Sequence, residues 1–221
     1  MKSARDAVYE ALHERLTHGH YPAEATLIPQ ALSEEFGVSR TPVREALGLL
    51  ERKGLLVAAS RGFVLRIRGD EEMLEIFEVR AILESSAAAA AAERHTPVDI
   101  ARLKEALALS SNYTEPADIR QALNVFHDSV LRAAHNQTIY DMERDLRDQI
   151  KVSAPWFTPT GRESFESSVS EHEQILSAII GGSAEKARLL MLEHLNHDRD
   201  VRISQLVSRT MGVVAGESSA P

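Results

Sequence analysis

The amino-acid sequence predicts a mainly α-helical protein, in which three helices and a β-hairpin precede an all-α helical bundle. Two observations support this fold class. Apolar residues recur every three or four positions through most of the 221 residues, as they do in amphipathic helices. Residues 55–67 differ, because two short apolar runs flank a turn that ends in Gly62, as in a β-hairpin.

The N-terminal part carries the signals of a winged helix-turn-helix. Helical periodicity covers 4–18 and 29–36, and Gly37 is placed to end the second helix. Thr41 and Pro42 suit the N-cap and the first position of a third helix. Three helices followed by a hairpin give the order of elements in that fold.

The C-terminal part is predicted to be helical throughout. Gly69 and Asp70 mark the boundary, because Asp70 suits the N-cap of a new helix. The predicted helices cover 70–94, 98–110, 117–135, 137–153, 164–181 and 183–209. Six alanines at 87–92 are explained most simply by their high helix propensity. The predicted domains are 1–69, 70–211 and a flexible tail over 212–221.

Composition narrows the class of protein. The chain has no cysteine, which excludes disulfides and thiolate metal sites. It has neither a long apolar run nor a signal peptide, so we expect a cytoplasmic, nucleoid-associated protein without membrane contact. The net charge of −8 is uneven. Residues 1–68 hold 10 basic and 8 acidic side chains, whereas 69–221 hold 15 and 25, so the N-terminal part is better suited to approach phosphates.

The start of the third helix carries a polar face that suits DNA. Arg40, Thr41 and Arg44 lie opposite the apolar face of this helix. A helix N-terminus attracts phosphate oxygens, and the arginine fork matches the O6 and N7 atoms of guanine. A solvated charged surface remains an alternative explanation for the same residues.

A family resemblance favours DNA binding. The residues LSEEFGVSRTPVREAL at 32–47, with LERKGLL at 50–56 and RGFV at 61–64, resemble the DNA-binding domain of the GntR family of transcriptional regulators. The resemblance implies that Arg40 and Arg44 approach bases and backbone. It also implies other DNA contacts, namely phosphate contacts by Ser39 and Thr41, entry of Arg61-Gly62 into the minor groove, and an uncharged contact by Gln30, where the family often has a basic residue.

The second part resembles the FCD effector domain of the FadR subfamily. The resemblance is carried by EVRAILE at 78–84, Phe126-His127 with Asn136, EHEQI at 171–175 and MLEHL at 191–195. It implies a homodimer that reads a near-palindromic double-stranded operator and binds a small organic acid. We therefore expect a regulator of transcription and not an enzyme.

Three of the nine histidines point toward the interior by helical phase. His127, His172 and His194 each share a helix face with apolar residues, unlike the other six. Neutral imidazole is a common ligand of divalent transition metals, so the three predict a metal site, with zinc preferred and nickel or manganese as alternatives. Ordinary core histidines are the alternative interpretation.

The resemblance also exposes a departure at this site. Matching histidines in the subfamily hold a metal together with an aspartate one turn before the first histidine. Leu123 stands at that position, and Asn124 is one residue out of register. Three outcomes follow, namely a weakened metal site, a three-histidine site, or direct effector binding by the histidines and Asn124. If the carboxylate is missing, Leu123→Asp should tighten metal binding.

Arg80 completes the predicted effector site. The resemblance implies an inward arginine that grips the carboxylate of an organic acid, whereas an exposed ion pair with Glu84 is the alternative. Two other functions are compatible with the residues. One is a metal-dependent hydrolase built on the histidines, and the other is a helical module whose winged helix contacts protein.

Overall fold

The structure, a computed structural model, describes residues 2–112, 116–153 and 162–217. The elements of these ranges are short strands near the N-terminus and helices elsewhere. In chain order they are α1 (Ala4–Thr17), β1 (Thr26–Leu27), α2 (Pro29–Phe36), α3 (Arg40–Arg52), β2 (Leu56–Ala59), β3 (Gly62–Leu65), α4 (Asp70–Arg94), α5 (Pro97–Asn112), α6 (Pro116–Ala133), α7 (Gln137–Ser153), α8 (Arg162–Ile180) and α9 (Ala184–Glu217).

The chain forms two compact units, and α7 contributes to both. The N-terminal unit contains the chain up to Gly69 together with α7 from Arg144 onward, and the helical unit contains the rest. The sequence assigns all of 70–211 to one domain. The second half of α7 departs from this assignment, because its side chains pack in the N-terminal unit. There Asp148 lies 2.7 Å from His13 Nε2, and Asp145 pairs with Lys53.

The core of the N-terminal unit comes from the apolar faces of its helices. Leu12, Val43, Leu47 and Leu50 are each 0 % exposed, and Val152 of α7 joins the same cluster. Burial of each large aliphatic side chain contributes about 1.5–3 kcal/mol. This packing fixes α3 against α1 and leaves the opposite face of α3 at the surface.

The small sheet includes a strand that sequence periodicity does not indicate. Its order is β1-β3-β2, antiparallel throughout, and Leu27 pairs with Phe63. Two residues are too few to display alternation, so β1 leaves no signal in the sequence. Gly62 has φ +150°, and a Cβ atom there would collide with the carbonyl oxygen of Leu27. Glycine therefore allows β1 to lie against the hairpin.

The helical unit is built around α4. Its most extensive contact is with α9. Five of the six alanines at 87–92 are buried, and Ala88 and Ala91 pack in one cluster with Phe126 and Ile175. The run therefore does more than favour a helix, because its small side chains let the neighbouring helices approach closely.

The start of α3 and the end of α9 differ from the sequence-based expectation. Helix α3 begins at Arg40 with Ser39 as N-cap, two residues before the expected Thr41 cap. Helix α9 continues to Glu217, beyond the predicted end at 209, although glycines lower the helix propensity there. No helix within the described ranges is long and apolar enough to cross a membrane.

Candidate functional site

A groove on the N-terminal unit lies where α2 and α3 begin. It is lined by Gln30, Arg40, Thr41 and Arg44, with Ile28 and Pro29 as its apolar part. Neither α2 nor α3 has a side-chain hydrogen bond at its N-cap in the described structure. The first-turn N–H groups of two helices are therefore available near the groove, and such groups bind phosphate oxygens.

The arginines of this face have no internal partners. Arg40, Arg44 and Arg61 are exposed, and within the described ranges none forms a side-chain hydrogen bond or an ion pair. Gln30 differs, because its amide donates to Glu34 Oε1 at 2.6 Å. Unpaired guanidinium groups at a helix start can neutralise phosphates or bind guanine without first breaking an internal bond.

The remaining residues of the predicted DNA-contacting set lie at the helix cap and in the hairpin turn. Ser39 is exposed and does not cap its own helix by its side chain. Arg61 is exposed in the turn between β2 and β3, and Gly62 is half-buried beside β1. The geometry thus gives Gly62 a steric reason for being glycine, whereas Arg61 is the charged group at the wing tip.

A cluster of three histidines lies inside the helical unit. His127 of α6, His172 of α8 and His194 of α9 are 6 %, 0 % and 2 % exposed. Their Nε2 atoms are 3.2 Å apart between His127 and His172, 3.1 Å between His172 and His194, and 3.2 Å between His194 and His127. Three helices therefore bring one nitrogen each to a common point, which we call the histidine cluster.

Two carboxylates determine which nitrogens are protonated. Glu84 Oε2 lies 2.6 Å from His127 Nδ1, and Glu171 Oε2 lies 2.6 Å from His194 Nδ1. A carboxylate accepts hydrogen bonds, so each Nδ1 carries the proton and each Nε2 presents a lone pair. Two lone pairs 3.2 Å apart repel each other unless a proton or a cation lies between them.

The histidine cluster fits a divalent metal ion. Three nitrogens about 2.1 Å from one ion lie about 3.0 Å apart in octahedral geometry and about 3.4 Å apart in tetrahedral geometry, and the observed Nε2 distances fall between these values. A carboxylate on the remote nitrogen, as at His127 and His194, is typical of metal-binding histidines. His172 Nδ1 is buried and has no hydrogen-bond partner among the described atoms.

Electrostatics distinguish the members of the cluster. Burial, and then repulsion from His127 and His194 whenever these are protonated, holds the pKa of His172 well below its usual value. Burial lowers the pKa of His194 as well, but the hydrogen bond to Glu171 and the nearby carboxylates outweigh it and raise this pKa. Burial raises the pKa of Glu171, yet hydrogen bonds from His194, His197 and Ser167 bring it down to about 2. Glu171 is thus ionised at neutral pH.

Arg80 is held in a buried network next to the histidine cluster. It is 8 % exposed, and its guanidinium donates to Glu143 Oε1 at 2.9 Å and to Glu84 Oε1 at 2.6 Å. Glu84 also contacts His127, so Arg80 is connected to the cluster through one carboxylate. The pair of Arg80 and Glu84 is therefore an internal ion pair and not an exposed one.

Other residues around the histidine cluster lie on α6 and α9. Asn124 and Leu123 are half-buried, one turn before His127. On α9, Asp198 Oδ2 lies 3.9 Å from His194 Nε2. Sequence reasoning missed Asp198 as a site residue, although its spacing of four residues from His194 places both on one helix face. Glu143 gave no comparable signal, because its partner Arg80 lies 63 residues away.

The sequence matches two protein families over separate ranges. Residues 4–64 match "Bacterial regulatory proteins, gntR family". Residues 75–197 match the "FCD domain". The first range contains the groove arginines and the second contains the histidine cluster.

Full-length relatives agree with these matches. The HTH-type transcriptional regulator YdhC of Bacillus subtilis is 29% identical over 195 residues, which cover 86% of this chain and 87% of that protein. The Uxu operon regulator of Haemophilus influenzae is 31% identical over 183 residues, or 75% of this chain and 69% of that protein. The solved structure of Escherichia coli McbR/YncC has a TM-score of 0.76 at 28% identity and covers 93% of this chain and 100% of that chain. None of these matches favours the hydrolase interpretation.

Proposed function

The chain belongs to the GntR family of bacterial regulatory proteins and carries an FCD domain, and on this premise we propose that a divalent metal and a small organic acid in the helical unit tune its affinity for an operator. Transcription regulation by DNA binding is the function of the family, and it is not an enzymatic one. The observation that carries the proposal is the convergence of three Nε2 atoms within 3.2 Å of one another.

We place the operator at the groove of the N-terminal unit. Arg40 and Arg44 would read base edges and backbone, because their guanidinium groups are exposed and unpaired in the described structure. The free helix N-termini would bind phosphates. The full set of proposed DNA contacts is Gln30, Ser39, Arg40, Thr41, Arg44, Arg61 and Gly62.

We propose that the protein binds its operator as a homodimer. One winged helix covers a short stretch of DNA, and two copies related by two-fold symmetry match a near-palindromic operator. Val79 and Ile82 support a contact between copies, since both are apolar, lie on α4 and are 41% and 57% exposed. Because its ligand is DNA, we expect the protein to act in the cytoplasm at the nucleoid.

The proposed effector site combines the histidine cluster with Arg80 and Asn124. A bound divalent ion would supply a Lewis-acid centre for a carboxylate oxygen, and zinc suits three imidazoles best, with nickel or manganese as alternatives. Arg80 already holds Glu84 and Glu143, so an acid that binds to it would compete with these carboxylates. Such competition would alter contacts of α7, which both units share.

Operator binding at defined metal occupancy tests the proposal. A duplex is first selected from a random pool, and its dissociation constant is then measured for metal-free protein, zinc-loaded protein, and zinc-loaded protein with each of a panel of organic acids. We expect a shift of about fivefold or more with zinc and acid. His172→Ala should abolish this shift, whereas the control His95→Ala, on the same unit but outside the histidine cluster, should retain it. Equal affinities in all three states of the native protein would contradict the proposal.

A further inference from the structure

Asp198 faces the side of the histidine cluster on which the lone pairs meet. Glu84 and Glu171 contact His127 and His194 at Nδ1, on the outer side of each ring. Asp198 instead approaches His194 at Nε2, with its Oδ2 atom 3.9 Å away. Its side chain is 42% exposed, so an ion from solvent can reach it.

The charges around the cluster favour a cation at that point. Of four carboxylates in this region of the described structure, three lie at the histidines and the fourth, that of Glu143, binds Arg80, whose guanidinium also binds Glu84. Neutral imidazoles add no charge. The carboxylates are Glu84, Glu143, Glu171 and Asp198. A divalent ion would offset this excess of negative charge, and Asp198 is the carboxylate placed on the Nε2 side.

The distance is compatible with a shared ion. Two ligand atoms of one ion, each about 2.1 Å from it, lie between about 3.0 and 4.2 Å apart, depending on the angle at the ion. The 3.9 Å between Asp198 Oδ2 and His194 Nε2 falls within this range. Asp198 lies more than 4.8 Å from at least one of the other two histidine nitrogens, so its ligation of the same ion requires the side chain to turn further toward the cluster. Both side chains rise from one face of α9, because residues four apart are neighbours on a helix.

We propose that Asp198 is the carboxylate ligand of the metal site in this chain, in place of the aspartate that the family resemblance expects at Leu123. The ligand set would then be His127, His172, His194 and Asp198. This inference rests on the proposed metal site and adds one residue to it. On this assignment, Leu123 does not leave the site without a carboxylate ligand, because α9 supplies the carboxylate that the resemblance expects on α6.

Zinc titration of the full-length protein against a competing chelator tests the assignment. Asp198→Asn should weaken zinc binding by about tenfold or more, because it removes the anionic ligand and leaves the shape unchanged. Asp200→Asn is the matched control, as Asp200 is exposed on the same helix. Leu123→Asp in the native chain should change affinity by less than about threefold, and in the Asp198→Asn background it should restore binding.

The outcomes separate this inference from the site on which it rests. If neither the native protein nor Leu123→Asp binds zinc, the metal site and the role of Asp198 both fail. If His172→Ala loses zinc while Asp198→Asn binds as tightly as the native protein, the metal site stands and Asp198 is not a ligand. A gain of tenfold or more from Leu123→Asp alone would also overturn the assignment. If circular dichroism shows that Asp198→Asn is unfolded, zinc affinity of the Leu123→Asp single variant decides whether Asp198 is the carboxylate ligand.

Discussion

The groove of the N-terminal unit and the histidine cluster of the helical unit differ in whether their arginines are exposed and paired. Arg40 and Arg44 are exposed and have no partner in the described structure. Arg80 is 8 % exposed and is bound by Glu84 and Glu143. The first arrangement leaves binding energy for an external polyanion. The second is organised internally, so the proposed ion or effector would enter a site whose side chains are already held by hydrogen bonds.

The difference separates binding from stability. Removing an exposed, unpaired arginine should weaken DNA binding and leave folding intact. Removing a buried arginine takes the guanidinium away from carboxylates that stay buried, which costs folding free energy. Variants of the groove arginines should therefore change DNA affinity, and variants of Arg80 should change the free energy of unfolding. A single variant that changed both quantities would contradict this separation.

The largest expected effect is on folding. Arg80→Ala should lower the free energy of unfolding by about 3–5 kcal/mol, because Glu84 and Glu143 would stay buried without the guanidinium that binds both of them. Arg188→Ala serves as the control, since its pair with Glu185 is exposed and should be worth less than about 1 kcal/mol. Urea unfolding of metal-free protein measures both. An Arg80 variant as stable as the control would show that its ion pairs are not part of the structural framework.

The second effect is a pH dependence of the cluster. The Glu171 pKa of about 2 lies below its ordinary value of 4.5, so its stabilisation is present above pH 4.5 and is lost as the pH falls through about 2. The raised pKa of His194 acts oppositely, because its stabilisation is present below 6.5 and is lost as the pH rises through the raised value. The advantage of native protein over Glu171→Gln should thus be greatest between pH 4.5 and 6.5.

Denaturant unfolding of metal-free protein from pH 2 to 8 tests this profile. The advantage should shrink by about 2–3 kcal/mol toward pH 2. Glu173→Gln, on an exposed position of the same helix, should follow the native profile at every pH. A difference between native protein and Glu171→Gln that does not vary with pH would show that Glu171 stabilises the fold by packing alone.

The sequence predicts which residues of each region share a helix face, but it does not predict which helices bring their residues together. The proposed DNA-contacting face is local, because one helix start places Arg40, Thr41 and Arg44 together, and helical periodicity is enough to identify them. The inward direction of His127, His172 and His194 is also a local property of helical phase. Their convergence to 3.2 Å is not, because it depends on how three helices pack.

Residues whose partners are remote in sequence were the hardest to predict. Glu143 reaches Arg80 across 63 residues, and Asp148 reaches His13 across 135. Neither contact has a period or a motif. Strand β1 was missed because two residues cannot display alternation. Asp198 is a different case, because its spacing of four residues from His194 places both on one helix face, whereas the family resemblance indicates a carboxylate at position 123.

The third effect is confined to DNA binding. Arg44→Ala should weaken binding to a selected operator by about 1–3 kcal/mol, since it removes a guanidinium group that we propose contacts a base. The free energy of unfolding should change by less than about 0.5 kcal/mol, because the side chain is exposed and unpaired in the described structure. Anisotropy titrations and urea unfolding on the same preparation give both values. Native affinity in a folded variant would exclude Arg44 from the interface.

The smallest effect distinguishes the wing from α3. Arg61 lies in the β2–β3 turn, where it is exposed and where the flanking Gly62 fixes the backbone against Leu27. A phosphate or minor-groove contact from this position adds affinity with little base preference, so Arg61→Ala should weaken specific and non-specific duplexes equally, by about 1 kcal/mol or less. The plot of log association constant against log salt concentration should become less steep, its negative slope decreasing in magnitude by about 1. Arg5→Ala, which removes an exposed arginine already paired with Asp6, should leave the slope unchanged. If Arg61→Ala instead weakened the operator alone, the wing would be reading sequence, and the distinction between a base-reading helix and a backbone-contacting wing would fail.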